Sequence, residues 1–177
     1  MLKLTPSTDY HPSVGEFSRL AGTARVVPIY REIVADLETP ISVYLKLAQE
    51  GPGYLLESVE GGEKVARYSF IGAEPFLTIE VGDGRALVRR SAPDEHGRRA
   101  EDQASEPEDS ACENPLNAIR RVLNEHRAAP VPGLPRFSGG LVGYIGYDVV
   151  RLVENLPAAP PDSLGFPDAL LMATRIV

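Results

Sequence analysis

The spacing of apolar residues along the chain predicts three short helices. In each of them, apolar side chains recur every three or four positions and so lie along one side of a helix. Each begins with a residue that can cap a helix, and two have proline at the first helical position, where its missing amide hydrogen costs nothing. The predicted starts are Ser13, Thr39-Pro40 and Asn114-Pro115, and the first and third helices are expected to end at Gly22 and near Arg127.

Alternating apolar runs bounded by glycine and proline predict antiparallel strands. The first two runs flank Gly61-Gly62 as in a hairpin, Pro75 is expected to restart the chain for the third, and Gly82-Asp83-Gly84 turns it into the fourth. These four strands of a meander lie at 54–59, 65–71, 76–81 and 86–88, and further strands are expected at 25–30, 137–147 and 168–177. The predicted fold class is α+β, with layered antiparallel β-sheets and flanking helices.

Composition is typical of a soluble globular domain. The 177 residues are 43% apolar and 24% charged, which supports one ordinary domain with a packable core. The longest apolar stretches are far shorter than the roughly 20 residues that span a bilayer, so no membrane partner is expected. The one cysteine cannot form an intramolecular disulfide, which favours a cytoplasmic location.

The net charge of −7 is concentrated in one segment, 91–113, which holds eight acids and two arginines. The rest of the chain is nearly neutral and lacks the basic stripe that releases counterions from phosphates, so no nucleic-acid partner is expected. Apart from proline, only alanine and cysteine supply apolar side chains in this segment. We therefore predict a disordered acidic insertion at about 91–113.

The sequence contains no catalytic or metal-binding constellation. A nucleophile needs a neighbouring base, but Cys112 and His96 lie in the acidic segment and His126 lies at a helix end, so the histidines are expected to be solvated. Acidic residues elsewhere are dispersed, without the convergence that a metal site requires. The glycines of 139–146 lack the spacing of a phosphate loop and favour close backbone packing, with Gly143 and Tyr144 as a candidate pocket wall.

The run at 54–59 places polar residues among leucines. Strand alternation puts Leu56 and Ser58 on one face and Leu55 and Glu57 on the other, so at least one polar side chain shares a face with a leucine expected to be buried. Such a group is either paired inside the protein or contacts a ligand. The residues alone leave both alternatives open, with internal pairing the commoner one.

Several strings in the same order along the chain resemble the N-terminal region of the anthranilate synthase component I family. The strings are Phe17-Ser18-Arg19-Leu20, residues 35–40 and 44–47, Leu55-Leu56-Glu57-Ser58, Arg67-Tyr68-Ser69-Phe70-Ile71-Gly72, Asn114-Pro115-Leu116 and residues 139–148. Together they cover the chain nearly end to end, apart from the acidic segment.

The resemblance implies that residues 1–177 are the N-terminal domain of a longer enzyme, and the predicted strand that reaches the last residue agrees with this expectation. The family's large subunit converts chorismate and an ammonia source to anthranilate in tryptophan biosynthesis, with a glutamine amidotransferase subunit, component II, as partner. The chorismate site and its Mg²⁺ belong to a C-terminal domain absent from this chain. Alone, the chain is therefore expected to be inactive and to hold no cofactor.

The resemblance also implies a feedback site for L-tryptophan on the hairpin around 54–72. Such a ligand needs an apolar slot for the indole, a cation for its carboxylate and an acceptor for its ammonium group. Residues beyond position 177 are expected to complete the pocket. The candidate contacts are Ser58 first, Leu56 and Glu57 beside it, Arg67 or Ser69 on the partner strand, and Lys64.

Two alternatives remain at this point. One lies within the same broader group: the large subunit of aminodeoxychorismate synthase, or an isochorismate-converting relative, in which a similar pocket holds tryptophan without feedback. The other is a freestanding ligand-binding or scaffold domain with no enzymatic partner. The combined strings favour anthranilate synthase.

Overall fold

The structure, a computed structural model, describes residues 9–48, 51–57, 68–93, 99–104, 108–109, 114–135, 137–158 and 161–177. Within these ranges the chain forms helices and strands in an order that confirms the predicted α+β class. The helices are α1 (Val14–Ala21), α2 (Pro40–Leu47) and α3 (Pro115–Glu125), with a 3₁₀ helix at Tyr147–Leu152. The strands are β1 (Tyr54–Glu57), β2 (Ser69–Gly82), β3 (Arg85–Pro93), β4 (Arg99–Ala104), β5 (Glu108–Asp109), β6 (Val142–Ile145) and β7 (Ala169–Ile176).

The helices begin where the capping residues predict. The Ser13 side chain accepts a hydrogen bond from the Glu16 amide, and the Thr39 side chain accepts one from the Ser42 amide. Asn114 accepts from the amide of Leu116, at 2.9 Å. Each cap satisfies an amide that the first helical turn leaves without a partner, which fixes the start of the helix.

The strands join one antiparallel sheet whose main path runs β4-β3-β2-β7-β6. The first half of β2 pairs with β1, and its second half lies between β3 and β7. Strand β5 pairs with β3. The long strand β2 therefore connects the hairpin region to the centre of the sheet.

Strand β2 differs from the sequence prediction at Pro75. We expected this proline to separate two strands, but β2 continues through it, with a bulge between Pro75 and Leu77 in the pairing to β7. Proline has no amide hydrogen for the ladder, and a bulge is one of the places where a sheet tolerates that loss. The meander therefore has fewer, longer strands than predicted, and residues 65–67 of the expected second strand lie outside the described residues.

Two other segments also differ. Residues 25–30 form only isolated bridges, between Val26 and Ala128 and between His11 and Tyr30, since Pro28 interrupts a regular ladder. Inside the acidic segment 91–113, where the sequence predicts a disordered insertion, the backbone of β4 and β5 pairs with β3. Main-chain hydrogen bonds of this kind do not require apolar side chains.

The core lies between the second half of β2, its neighbours β3 and β7, and α3. Side chains with relative exposure below 2% include Leu77, Ile79 and Val81 of β2, Val88 of β3 and Val122 of α3. Alternate residues of β2 supply this face, as the period of a strand requires. The core therefore anchors one half of β2 and leaves the first half, near β1, at its margin.

Candidate functional site

Strand β1 and the start of β2 carry the candidate ligand contacts that the structure describes. In their register Leu56 lies opposite Phe70 and Glu57 opposite Ser69. The Ser69 hydroxyl donates to Oε1 of Glu57 at 3.3 Å, so these two polar groups are paired with each other. Leu56 lies on the other face with Phe70 and is 43% exposed. The structure therefore divides the predicted contacts between the two faces of the hairpin.

Three of the predicted contacts, Ser58, Lys64 and Arg67, lie outside the described residues. Their role stays a prediction. The structure describes the other three candidates on the hairpin, which are Leu56, Glu57 and Ser69.

An open cavity of about 620 Å³ adjoins the start of β2. Its size falls in the range of roughly 300–1,000 Å³ that is usual for small-molecule sites. The lining is formed by Phe76 and by residues from five segments, 26–30, 68–71, 122–128, 134–141 and 173–177. Ser69 thus lines the cavity and also donates to Glu57, which is not itself a lining residue.

Aromatic rings form one wall of this cavity. Phe70 and Phe137 meet edge to face, with ring centroids 5.2 Å apart and planes at 83°. Tyr68 lies 6.0 Å from Phe70, and Tyr54 packs behind Phe137 at 6.4 Å. Such pairs are favoured by the ring quadrupoles and fix the rings in place. The wall offers a fixed apolar surface to a flat, ring-containing ligand.

Cationic and hydroxyl groups lie around the same cavity. Arg175 places its guanidinium 5.8 Å from the centroid of Phe76 and donates to the carbonyl of Ser91 at 3.0 Å. His126 also packs on Phe76, at 5.4 Å, and its Nδ1 lies 2.9 Å from the carbonyl oxygen of Val122. The expectation of a solvated His126 is wrong, because the ring is partly buried between Phe76 and α3. Arg127, Ser138 and Thr174 complete the polar lining.

Tyr54 is buried immediately behind the aromatic wall, with 9% of its surface exposed. Its ring lies over Gly72, the residue opposite it on β2: a Cβ added to Gly72 would come within 2.0 Å of the ring. Burial raises the pKa of the Tyr54 phenol, and hydrogen bonding to Thr174 of β7 partly offsets that rise. The hydroxyl is therefore neutral in the physiological range.

Gly143 and Tyr144, the predicted pocket wall, lie on β6 at the edge of the sheet and do not line this cavity. A Cβ at Gly143 would come within 1.9 Å of the carbonyl oxygen of Leu170, so glycine permits the close approach of β6 to β7. The Tyr144 hydroxyl donates to the carbonyl of Pro167 at 2.9 Å. These contacts agree with the first interpretation of the glycine run, which was close backbone packing.

Phe137, Arg127 and Arg175 line the cavity but were not predicted from the sequence. Phe137 directly precedes the glycine run and Arg175 lies in the last strand, and the sequence predicts a strand at both positions. Neither position has a periodic signal that distinguishes a cavity-lining side chain from a packed one. Only the pairing of distant strands brings them to Phe70 and Ser69.

Two further properties of the described residues bear on other classes of function. No group of three or more His, Cys, Asp or Glu side chains within the described ranges could hold a metal ion. In the same part of the chain, no helix has the length and apolar character needed to cross a membrane.

Comparison with known proteins gives a consistent family. The chain is 44% identical over 165 residues to anthranilate synthase component 1 of Pseudomonas putida, which covers 92% of the chain and 31% of that relative. It is 38% identical over 165 residues to the protein of the same name from Acetivibrio thermocellus, and this alignment covers 93% of the chain and 31% of that relative. It is 41% identical over 158 residues to the anthranilate synthase component 1 of Mycolicibacterium smegmatis, an alignment that covers 89% of the chain and 28% of that relative. No protein-family model matches the chain.

These alignments cover nearly all of this chain but only about a third of each relative. In this chain, the aligned region is an α+β domain with an open, aromatic-walled cavity. The chain is homologous to anthranilate synthase component 1 proteins and corresponds to their N-terminal region.

Proposed function

We propose that this chain is the regulatory part of an anthranilate synthase component 1 that binds L-tryptophan as a feedback inhibitor. The complete protein would convert chorismate and an ammonia source to anthranilate in the cytoplasm, together with a glutamine amidotransferase subunit. The chain alone would be inactive, because the chorismate site and its Mg²⁺ would lie in the larger part of the protein that follows. No cofactor is assigned to this chain.

One observation carries the proposal: the cavity adjoins the hairpin that the family resemblance links to tryptophan. Ser69 belongs both to the predicted contacts and to the cavity lining. The edge-to-face rings of Phe70 and Phe137 offer an apolar wall to an indole. The chain thus combines a suitable volume with an aromatic surface next to β1.

The polar lining suits an amino-acid ligand. Arg127 and Arg175 contribute guanidinium groups, which pair well with a carboxylate. Arg175 spends one donor on the carbonyl of Ser91, and a guanidinium has five. The Glu57 carboxylate, which accepts from the lining residue Ser69, has further acceptor capacity for an ammonium group. Indole, carboxylate and ammonium therefore each have a group of matching chemistry.

Inhibition also requires that tryptophan bind one arrangement of the whole enzyme better than another. A ligand with equal affinity for the active and inactive arrangements would shift nothing, however tightly it bound. By reciprocity, any factor by which tryptophan weakens chorismate binding equals the factor by which chorismate weakens tryptophan binding. The proposal therefore makes a quantitative claim about the complete enzyme as well as about this chain.

The direct test is a fluorescence titration with L-tryptophan. The chain contains seven tyrosines and no tryptophan, so selectively excited tryptophan emission comes from the ligand alone. A blue shift and a rise in anisotropy are expected as the indole leaves water. Ser58→Phe and Phe137→Leu should weaken both signals, whereas Ser163→Phe, at an exposed position outside the cavity lining, should not.

A second titration distinguishes an incomplete site from a wrong assignment. If the 177-residue chain gives no signal, calorimetric titration of the full-length protein with L-tryptophan decides. Binding there, weakened by Ser58→Phe, would support a pocket completed by the rest of the protein. Absence of binding to the full-length protein would refute the feedback role, and formation of aminodeoxychorismate in place of anthranilate would refute the assigned reaction.

A further inference from the structure

The two edge strands of the sheet differ in chemistry. The path β4-β3-β2-β7-β6 ends at β4 on one side and at β6 on the other. Three of the six residues of β4 are charged, whereas the four residues of β6, Val142–Ile145, include no charge and no proline. Proteins place charged residues and proline on exposed edges, because an edge without them pairs readily with another strand. Strand β6 has neither of these protections.

Strand β6 uses only one of its two edges. Residues 142–145 pair with residues 169–172 of β7, and among the described residues no other segment forms a ladder with β6. The hydrogen-bonding groups of a strand in a sheet alternate between its two sides. Some of the main-chain amide and carbonyl groups of β6 therefore face away from β7. Such a row of donors and acceptors matches the edge of another strand.

Large apolar side chains are exposed on and beside this edge. Tyr144 and Leu170 are register partners, so they lie side by side on one face of the sheet, where they are 43% and 37% exposed. Ile145, on the opposite face of β6, is 58% exposed. Phe166, the residue before the Pro167 carbonyl that accepts from Tyr144, is also exposed. Adjacent apolar groups of this kind mark an interaction surface.

The larger part of the protein is the occupant that the comparisons favour. The alignments cover 28–31% of the three relatives, so a protein of their length has about twice as much chain outside this region as within it. A strand of the same polypeptide would meet β6 at a high effective concentration. A second copy of this chain would have to compete with that strand from dilute solution.

The position of β6 relative to the cavity agrees with this occupant. Residues 137–141 supply part of the cavity lining, and the chain passes directly from them into β6. A strand added to the free edge of β6 would therefore lie close to the cavity. The sequence already leads us to expect that residues beyond position 177 complete the pocket.

We propose that the free edge of β6 binds a β-strand from the larger part of the protein, which extends the sheet and covers Tyr144, Ile145 and Leu170. Main-chain hydrogen bonds supply the affinity in this mode of recognition, and the side chains beside the edge supply the specificity. This inference rests on the proposed function in one respect, namely that this chain is followed by the larger part of an anthranilate synthase component 1. It does not depend on where L-tryptophan binds.

Cysteine labelling of the full-length protein tests whether the edge is covered. In a background without other cysteines, including Cys112→Ser, the variants Ile145→Cys and Ile41→Cys are compared, because both isoleucines are 58% exposed in this chain. Relative to the urea-unfolded protein, Ile145→Cys should react at least about 100-fold more slowly and the control Ile41→Cys within about tenfold. Reaction of Ile145→Cys at nearly the unfolded rate would overturn the proposal.

The same labelling identifies the occupant. Protection of Ile145→Cys that is independent of protein concentration and present in component 1 alone supports a strand of the same polypeptide. Protection that grows with protein concentration would assign the edge to a second copy and overturn the proposal. Protection that appears only after component II is added would overturn it as well.

Residue-resolved amide exchange of the full-length protein tests whether the cover is a strand. Amides at 142–145 that face away from β7 should exchange at least about 100-fold more slowly than in the unfolded chain, as those facing β7 do. Rapid exchange at alternate residues of β6 would show an unpaired edge and overturn strand addition. Neither measurement uses L-tryptophan or chorismate. A negative result here would therefore leave the feedback role standing, and a failure of tryptophan to bind would leave the pairing of β6 intact.

Discussion

The two halves of β2 behave differently although they belong to one strand. From Leu77 to Val81, alternate side chains are completely buried beneath α3 and against β3 and β7. From Ser69 to Ile71, the side chains are exposed or half-buried and line an open cavity beside β1. The half from Leu77 to Val81 is therefore already packed inside the protein. The half from Ser69 to Ile71 leaves surface exposed to the cavity, where a ligand can make contact.

This contrast indicates where a ligand can bind. A packed interior resists change because each atom already has close neighbours. A half-buried aromatic group such as Phe70 or Phe137 can gain further contacts when a ring enters. Stability and binding should then respond to different substitutions along the same strand, and the following predictions test that separation from the largest effect to the smallest.

Truncation in the core half should have the largest effect on stability. Ile79 is fully buried, so Ile79→Ala should lower the free energy of unfolding by about 2–5 kcal/mol. Urea denaturation measures this loss, and Leu37→Ala, at a leucine that is 98% exposed, should stay within about 0.5 kcal/mol of the parent. A cost below about 1 kcal/mol at Ile79 would contradict a tightly packed core in this half.

A second comparison uses two glycines of β2. Gly72→Ala forces a Cβ into the ring of Tyr54, whereas a Cβ at Gly82 meets nothing within 4 Å. The first substitution should cost about 1–3 kcal/mol and the second should be nearly neutral. Combining Gly72→Ala with Tyr54→Ala should relieve part of the clash in the same denaturation assay. Equal effects at both glycines would show that the Tyr54 ring does not rest on Gly72.

Helix caps offer a finer comparison between the halves. Helix α3 buries Pro115, Ala118 and Val122, while α2, which contacts β1 and β2, has no buried residue. Asn114→Ala should therefore cost about 1 kcal/mol of global stability. Thr39→Ala should cost less, because α2 can fray without opening the core. A larger loss of stability for Thr39→Ala than for Asn114→Ala would contradict the assignment of the core to the second half of β2.

The smallest expected effect concerns the acid stability of α2. Hydrogen bonds from Lys46 and then Ser42 lower the pKa of Glu38 from its ordinary value of 4.5. A carboxyl group with a lowered folded pKa stabilises the protein above its unfolded pKa and loses that contribution as the pH falls through the folded value. Glu38→Gln should thus flatten the fall of Tm below about pH 4.5. If the Tm of the variant and of the parent fell equally at low pH, this exposed ion pair would contribute nothing measurable to stability.

The sequence predicted the local features of this fold well. Ser13, Thr39 and Asn114 cap helices where expected, because a cap depends on residues only a few positions apart. The continuity of β2 through Pro75 was missed, since a bulge depends on the partner strand β7. Propensity rules describe the proline itself and contain no information about that partner.

The candidate site was predictable only in part. Strand pairing brings Glu57 to Ser69, two residues singled out from the sequence. Phe137 and Arg175 reach the same region from distant parts of the chain, through contacts that no local pattern encodes. The separation of Leu56 from Glu57 onto opposite faces follows from strand alternation alone and was predicted from the sequence.

Amide hydrogen exchange on the full-length protein, with and without saturating L-tryptophan, tests the contrast between the two halves most directly. Without ligand, residues 77–81 should exchange slowly and residues 54–57 and 68–71 faster, because opening free energies follow burial. Tryptophan should then slow exchange at 54–57, 68–71 and 137–141 and leave 77–81 unchanged. Binding of tryptophan that protects 77–81, or protects none of the three cavity segments, would contradict the account.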